Sequence, residues 1–190
     1  MILFATTVVL TLLPSCDSDE RDVQSPGPDP VCTLESPSKV FWCMDGAIES
    51  QQDANYERSL SDSFVFSPTD IDSLDANFSG TSVFDSWNKP VEMETLQLLF
   101  SDADWIKADF GTPFILINKN TFVRYNVSYS LAVINAVAPA DTVIYKGVAQ
   151  FDVRNENGNW RMTSWNEKTQ VPGFATWGYL RGELRKRFAL

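Results

Sequence analysis

The sequence has no histidine among its 190 residues. The absence of an imidazole excludes Ser-His-Asp and Cys-His nucleophiles, and it excludes zinc sites that depend on histidine ligands. The chain also lacks a GxSxG motif, a phosphate-binding glycine loop and a carboxylate-rich calcium loop. Any acid–base chemistry must therefore come from carboxylates and tyrosines, and we expect neither a cofactor nor a metal.

Basic residues are scarce. The chain has 15 Lys and Arg against 25 Asp and Glu, which gives a net charge of −10. Because binding to a phosphate backbone needs clustered positive charge, this composition argues against a nucleic-acid partner. The one basic stretch, residues 181–187, is predicted to be a solvated helix end, where cations favour the negative end of the helix dipole.

Long apolar runs are absent apart from residues 2–13. A bilayer span needs about 20 apolar residues, so this run is too short to cross a membrane. It is typical of the core of a secretory signal peptide, and Ser15 is the small residue expected near a cleavage site. No Lys or Arg precedes the run. A signal peptide usually has a basic residue there, so two alternatives stay open: the true start lies upstream of Met1, or the run is a simple apolar tail.

The residues that end this run, Leu13-Pro14-Ser15-Cys16, resemble the lipobox of bacterial lipoproteins. The resemblance implies that residues 1–16 are a lipoprotein signal peptide and that Cys16 is acylated with palmitate-type chains. Several acyl chains anchor a protein stably without a membrane span. The expected location is the bacterial cell envelope, lipid-anchored and facing the periplasm or the exterior, on either the inner or the outer membrane.

Residues 17–34 are acidic and rich in Pro and Gly, which predicts a disordered linker in front of a single domain at 35–190. Two cysteines remain if Cys16 is acylated. Outside the cytoplasm, Cys32 and Cys43 can form a disulfide that clips the linker onto the first helix. The alternative is a buried Cys43 and a free Cys32.

The first half of the domain shows mainly helical patterns. Apolar spacing predicts helices from Pro37 onward, at 53–60 and at about 86–100. A short strand is predicted at 63–66, and the polar stretch 69–84 is expected to be irregular.

The second half alternates apolar and polar residues with a period of two, at 123–133 and at 143–153. Asn157-Gly158 is a strong hairpin signal before a returning strand, and Thr176 is a candidate cap for a last helix. Helices followed by an antiparallel meander predict an α+β fold. The predicted core comprises Val40, Met44, Phe64, Phe66, Leu96, Phe100, Tyr125, Val127, Tyr129, Tyr145, Phe151, Trp160, Met162 and Trp177.

Four motifs occur in this order: Tyr56-x3-Leu60-x3-Phe64-Val65-Phe66, Trp87-x4-Glu92-x6-Leu99-Phe100, Asn157-Gly158-Asn159-Trp160-x4-Trp165 and Thr176-Trp177-Gly178-x-Leu180. Together they resemble the nuclear transport factor 2-like (NTF2-like) superfamily with its SnoaL-like folds, and most of all a group of uncharacterised bacterial lipoproteins within it. The resemblance implies a cone-shaped curved antiparallel sheet wrapped around N-terminal helices. In that superfamily the cone serves ketosteroid isomerases, dehydratases and polyketide cyclases, but also binding domains and homodimers without chemistry.

The resemblance and the alternation together suggest a pocket. The candidate pocket comprises Trp87, Glu92, Tyr125, Tyr129, Tyr145 and Gly147. Glu92 is the tentative catalytic carboxylate, the tyrosines are candidate donors, and Gly147 leaves room beside Tyr145. The alternative is that Glu92 pairs with backbone or an arginine and that the tyrosines fill the core. Trp87, Trp105, Trp160, Trp165 and Trp177 are expected to plug the ends of the cone.

Two functions remain open from the sequence. The favoured one is a membrane-tethered domain without catalysis that binds a small apolar ligand or a protein, with a homodimer as one form. The other is a lyase or isomerase that uses the pocket carboxylate and tyrosines. An open pocket where Glu92 meets the tyrosines would favour the enzyme, and a filled cone or an arginine partner for Glu92 would favour binding.

Overall fold

A computed structural model describes residues 32–135 and 142–188, so the predicted signal peptide and most of the linker lie outside the described residues. The helices are α1 (Pro37–Glu49), α2 (Asp53–Ser59), α3 (Asp70–Ser73), α4 (Lys89–Asp102) and α5 (Trp177–Phe188). The strands are β1 (Leu60–Ser67), β2 (Ala103–Phe110), β3 (Phe114–Lys119), β4 (Phe122–Asn135), β5 (Thr142–Glu156) and β6 (Asn159–Gln170).

The six strands form one curved sheet in the order β1-β6-β5-β4-β2, with β3 also paired to β4. Strands β4, β5 and β6 are the predicted antiparallel meander. The β5–β6 turn places Asn157 at φ 54° and Gly158 at φ 89°, the left-handed pair that a tight hairpin requires. Strand β1 forms the opposite edge of the sheet and pairs with β6 in the parallel orientation. The predicted α+β architecture is confirmed.

Strands β2 and β3 were not predicted, and they form one interrupted edge. Both pair antiparallel with β4, one after the other, because Phe110 faces Tyr129 and Phe114 faces Asn126. The break falls at Gly111, whose N–H donates to Ser128 O at 2.9 Å. A Cβ at Gly111 would lie 3.2 Å from that same oxygen, so the close approach favours glycine.

The inner face of the sheet packs against α1, α4 and α5. The ring of Phe41 on α1 lies 5.3 Å from that of Tyr125 and 5.2 Å from that of Phe151, both edge-on. A disulfide attaches the chain in front of α1 to that helix. Cys32 and Cys43 are joined by a disulfide with their Cα atoms 5.5 Å apart.

Several boundaries and burial predictions need correction. Strand β1 begins at Leu60 rather than at residue 63, because Leu60 is buried and already pairs with Met162. Helix α4 begins at Lys89, since the side chain of Asn88 caps it. The stretch predicted to be irregular contains the short helix α3.

Three side chains from the predicted core or plug are less buried than expected. Phe100 and Tyr145 are only half-buried. Trp105 is 45% exposed, because it lies on the outer face of β2 while Ile106 points inward.

Candidate functional site

A buried ion pair between α4 and α5 forms the centre of the candidate site. Glu92 lies in the first turn of α4 and is almost fully buried. Its Oε1 accepts from Tyr56 Oη at 2.7 Å and from Arg181 Nη2 at 2.5 Å. Its Oε2 accepts from Trp87 Nε1 at 2.8 Å and from Arg181 Nε at 3.0 Å. Each oxygen therefore has two donors, the usual capacity of a carboxylate oxygen.

Arg181 is enclosed by aromatic rings. Its guanidinium carbon lies 4.0 Å from the ring centre of Trp165, 4.5 Å from Phe66 and 4.8 Å from Trp177. A weakly hydrated, planar cation suits such a stack. Burial by itself would lower the pKa of this guanidinium, but the charge and hydrogen bonds of Glu92, together with Tyr56 and Glu167, outweigh burial and raise the pKa.

A second buried carboxylate, Glu167 on β6, holds the start of α5. Its Oε2 accepts from Tyr129 Oη at 2.5 Å, and its Oε1 accepts from Gly178 N at 3.2 Å. The Tyr129 hydroxyl in turn accepts from Trp177 N at 3.0 Å. These bonds satisfy N–H groups that a helix start leaves unpaired. Burial raises the pKa of Glu167 to about 7, although Tyr129 and Arg181 oppose the rise.

A third buried carboxylate also holds the N-terminus of α5. Asp72, buried at the end of α3, accepts from Thr69 Oγ1 and Thr176 Oγ1, both at 2.7 Å. Thr176 Oγ1 also accepts from Tyr179 N at 2.9 Å, so Thr176 is the helix cap that its position in the sequence indicated.

No protein-family model and no curated protein matches this sequence. Solved structures do match. A proposed aromatic ring hydroxylase from Novosphingobium aromaticivorans superposes with a TM-score of 0.56 at 10% identity, over 71% of this chain and 87% of that chain. A proposed scytalone dehydratase from the same organism gives 0.56 at 10% identity, over 70% and 81%. An NTF2-like superfamily protein from Salmonella enterica serovar Typhimurium gives 0.53 at 8% identity, over 71% and 89%. The chain has the NTF2-like fold.

At these identities the likeness extends to the fold alone, and it confirms the resemblance drawn from the four motifs at that level. In this NTF2-like domain the interior beside Arg181 is filled. The ring of Trp165 lies 4.7 Å from that of Phe151 and 4.8 Å from that of Trp177. The space left between Glu92, Arg181 and the neighbouring α4 and α5 side chains is about 10 Å³, near the lower limit for a single water.

The structure divides the predicted pocket residues into separate groups. Trp87 and Glu92 belong to the Arg181 pair. Tyr129 bonds to Glu167 instead, and Tyr125 packs edge-on against Phe41.

Gly147 lies beside Tyr129, in the Glu167 group, and Tyr145 stands apart from both groups. Gly147 makes room for Tyr129 rather than for Tyr145, because a Cβ there would overlap the Tyr129 hydroxyl. Tyr145 is half-buried, and burial raises the pKa of its phenol. The six residues therefore do not meet at one point.

Sequence reasoning missed Arg181, Glu167 and Asp72. The basic stretch 181–187 was predicted to be solvated, and Arg181 corrects that prediction. It falls between Leu180 and Leu184, both buried, so helical spacing from Trp177 carried the signal. Glu167 was missed because the alternation of Trp160 and Met162 changes phase where the pairing with β5 shifts register, before Ser164. Within 32–135 and 142–188, no cluster of three acidic or cysteine side chains is positioned to hold a metal ion.

Proposed function

We propose that this protein is a membrane-tethered bacterial lipoprotein whose NTF2-like domain acts by binding rather than by catalysis. The observation that carries the non-catalytic part is the saturation of Glu92. A general base needs a free lone pair within reach of a substrate proton. Both oxygens of Glu92 already accept two hydrogen bonds from Tyr56, Trp87 and Arg181, inside a space too small for a substrate.

The tether is supported by the sequence at Leu13-Pro14-Ser15-Cys16 and by the acidic linker behind it. In the part of the chain that the structure describes, no helix has the length and apolar content needed to cross a bilayer. In this proposal the acyl chains on Cys16 attach the protein to the membrane, and the domain faces the periplasm or the exterior.

The tether is tested by feeding cells a fatty-acid analogue and fractionating their membranes. Cys16→Ser should abolish both labelling and membrane association. Ser15→Ala keeps a small residue in front of the cysteine and should leave both unchanged. Equal labelling of the Cys16→Ser variant and the wild type would overturn the proposal.

The binding partner in this proposal is a protein surface or a second copy of the chain. The outer face of the sheet supports it, because Trp105 and Ile144 are exposed there on β2 and β5. Sedimentation of the Cys16→Ser protein should reveal a dimer that Trp105→Ser weakens at least tenfold. A monomer at high concentration would leave only a different protein as partner.

A lyase or isomerase is the second candidate, and one observation favours it. Glu167 has a pKa raised to about 7 by burial and bonds to the Tyr129 hydroxyl. A carboxyl that titrates near neutral pH beside a tyrosine is a workable acid–base pair once the cone opens. Native mass spectrometry would favour this candidate if a small molecule copurified with the wild type and disappeared in Glu167→Gln.

A further inference from the structure

A surface cavity between the loop 74–88 and the last turns of α5 is lined by two cations. Its volume is about 320 Å³, and its walls are Gly80, Thr81, Ser82, Val83, Arg185 and Lys186. We call it the cationic pocket. It shares no residue with the site around Glu92 and Glu167. Two neighbouring positive charges at one cavity favour an anionic ligand, even in a chain whose net charge is −10.

The two cations of the pocket bond to neutral groups. Arg185 Nη1 donates to Val83 O at 2.5 Å and to Asp85 O at 3.2 Å. Lys186 Nζ donates to Asn77 O at 2.6 Å. Within the described part of the chain, neither Arg185 nor Lys186 has a carboxylate within ion-pairing distance. Because backbone carbonyls carry no net charge, both positive charges stay uncompensated.

Both cations also keep unused donors. A guanidinium has five N–H donors and an ammonium has three. The bonds of Arg185 all come from Nη1, so its Nε and Nη2 donate to no acceptor among residues 32–135 and 142–188. The guanidinium carbon lies 5.3 Å from the ring centre of Trp87, which further fixes its position. The charges are therefore held in place by the loop while donors remain for a ligand.

Aromatic packing holds the loop against α5. A Cβ at Gly182 would lie 2.7 Å from ring atoms of both Phe78 and Phe84, so the helix and the loop approach closely here. The rings of Phe78 and Phe84 are 5.2 Å apart, and the ring of Phe84 stacks on that of Trp87 at 6.0 Å. A wall that is already ordered reduces the entropy lost when a ligand binds.

The loop side of the pocket supplies neutral donors. The backbone N–H groups of Gly80 and Ser82 and the hydroxyl of Ser82 donate to no acceptor in the described ranges. Thr81 Oγ1, in contrast, donates to Phe78 O at 2.6 Å. Backbone N–H groups in turns are common partners of phosphate oxygens. The pocket thus combines two fixed cations with polar groups of the kind that bind oxyanions.

We propose that the cationic pocket binds a phosphate monoester. Such a group carries a charge of about −1.5 to −2 at pH 7, which matches the two cations, and three acceptor oxygens. The planar fork of Arg185 suits two of these oxygens, and Lys186 and Ser82 suit the third. A carboxylate has one charge and two oxygens, and it matches the pocket less well. The phosphate belongs either to a soluble ester or to the headgroup of phosphatidic acid, which share this chemistry.

Titration of the purified full chain in detergent with glycerol 3-phosphate tests the pocket. Calorimetry should show saturable binding with a Kd of about 1 mM or tighter, and the amide resonances of Ser82 and Val83 should shift. Lys186→Gln should weaken binding about tenfold, because a charged hydrogen bond is lost. Arg187→Gln is the matched control, since it removes the neighbouring charge from a side chain that pairs with Asp102 at 3.4 Å instead. It should leave binding unchanged.

A second variant leaves both cations and their loop contacts in place. Ser82→Asp puts a carboxylate into the wall of the pocket and should abolish binding by repulsion. Equal losses in Lys186→Gln and Arg187→Gln would show an effect of net charge alone and would overturn the proposal. Binding of the dianion succinate as tight as that of glycerol 3-phosphate would overturn the phosphate assignment.

Short-chain phosphatidic acid in the same detergent separates the two sources. Shifts of the Ser82 and Val83 amides that depend on Lys186 with this lipid alone would assign the pocket to a lipid headgroup. The same shifts with glycerol 3-phosphate alone would assign it to a soluble ester. Absence of these shifts with both probes at millimolar concentration would overturn the proposal, and it would leave the tether and the dimer untouched.

Discussion

Arg181 and Glu92, 89 residues apart in the sequence, form a two-pronged ion pair inside the domain. The pair links α5 to α4 and is almost fully buried. Arg181 also lies near Glu167, with 3.9 Å between Nη1 and Oε1. One buried cation thus lies between two buried carboxylates and pairs closely with only one of them, Glu92, so the three groups are electrostatically coupled.

Removing the cation alone should be severe. Arg181→Met leaves Glu92 charged and buried without its partner, which typically costs about 3–5 kcal/mol of unfolding free energy. The Glu92→Gln/Arg181→Met double variant removes both charges and should recover part of that loss. Urea unfolding of the two variants measures the difference. A loss below about 1 kcal/mol for Arg181→Met would contradict a buried pair.

Stability should rise as the pH falls from 7 towards 4.5. The pKa of Glu167 is raised from 4.5 to about 7 in the folded state, mainly by burial. The folded state therefore binds more protons than the unfolded state in this window, and the stabilisation is lost as the pH rises through 7. Asp45 adds to the same trend, because burial raises its pKa to about 7 as well.

Two variants separate these contributions. Glu167→Gln and Asp45→Asn should each flatten the dependence of the unfolding free energy on pH between 4.5 and 7. The double variant should be nearly flat in this window. Urea midpoints at four pH values measure it, and an unchanged slope in Glu167→Gln would contradict the raised pKa of that carboxyl.

Gly147 should tolerate no larger residue. A Cβ at this position would lie 2.7 Å from Cζ of Tyr129. Gly147→Ala should therefore destabilise the domain by about 1–3 kcal/mol, through overpacking against the Glu167 partner. Gly46→Ala is the matched control, because no heavy atom lies within 4 Å of its Cβ position in α1. That change should stabilise by about 0.5–1 kcal/mol, and thermal unfolding of both variants decides.

Loss of the disulfide should loosen the start of the domain. Cys32 and Cys43 close a short loop in front of and within α1. Closing a loop of this size restricts the unfolded chain and stabilises by about 2–3 kcal/mol. The Cys32→Ser/Cys43→Ser double variant should lose that amount and exchange the α1 amides faster. Equal hydrogen exchange in the variant and the wild type would show that packing alone holds α1.

Local patterns determined much of the fold. The alternation at 123–133 and 143–153 and the Asn157-Gly158 turn predicted the meander, because strand period and turn conformation depend on neighbouring residues. The order of the four motifs predicted the NTF2-like fold. Strand β3 escaped prediction, because it is an edge strand whose apolar run has no alternation to detect.

The partners inside the site were decided only by tertiary structure. Sequence spacing identified Glu92 and Tyr129 as site residues but wrongly predicted that they share one pocket. In the structure Glu92 instead pairs with Arg181, 89 residues away, and Tyr129 bonds to Glu167, 38 residues away. Such pairings depend on how α5 docks against the sheet, and docking follows from the burial of Trp177, Leu180 and Leu184 together. In the sequence, Arg181 is recognisable only as one cation in a basic helix end. Its burial depends on side chains from other parts of the chain, such as Phe66 and Trp165, which the fold brings around it.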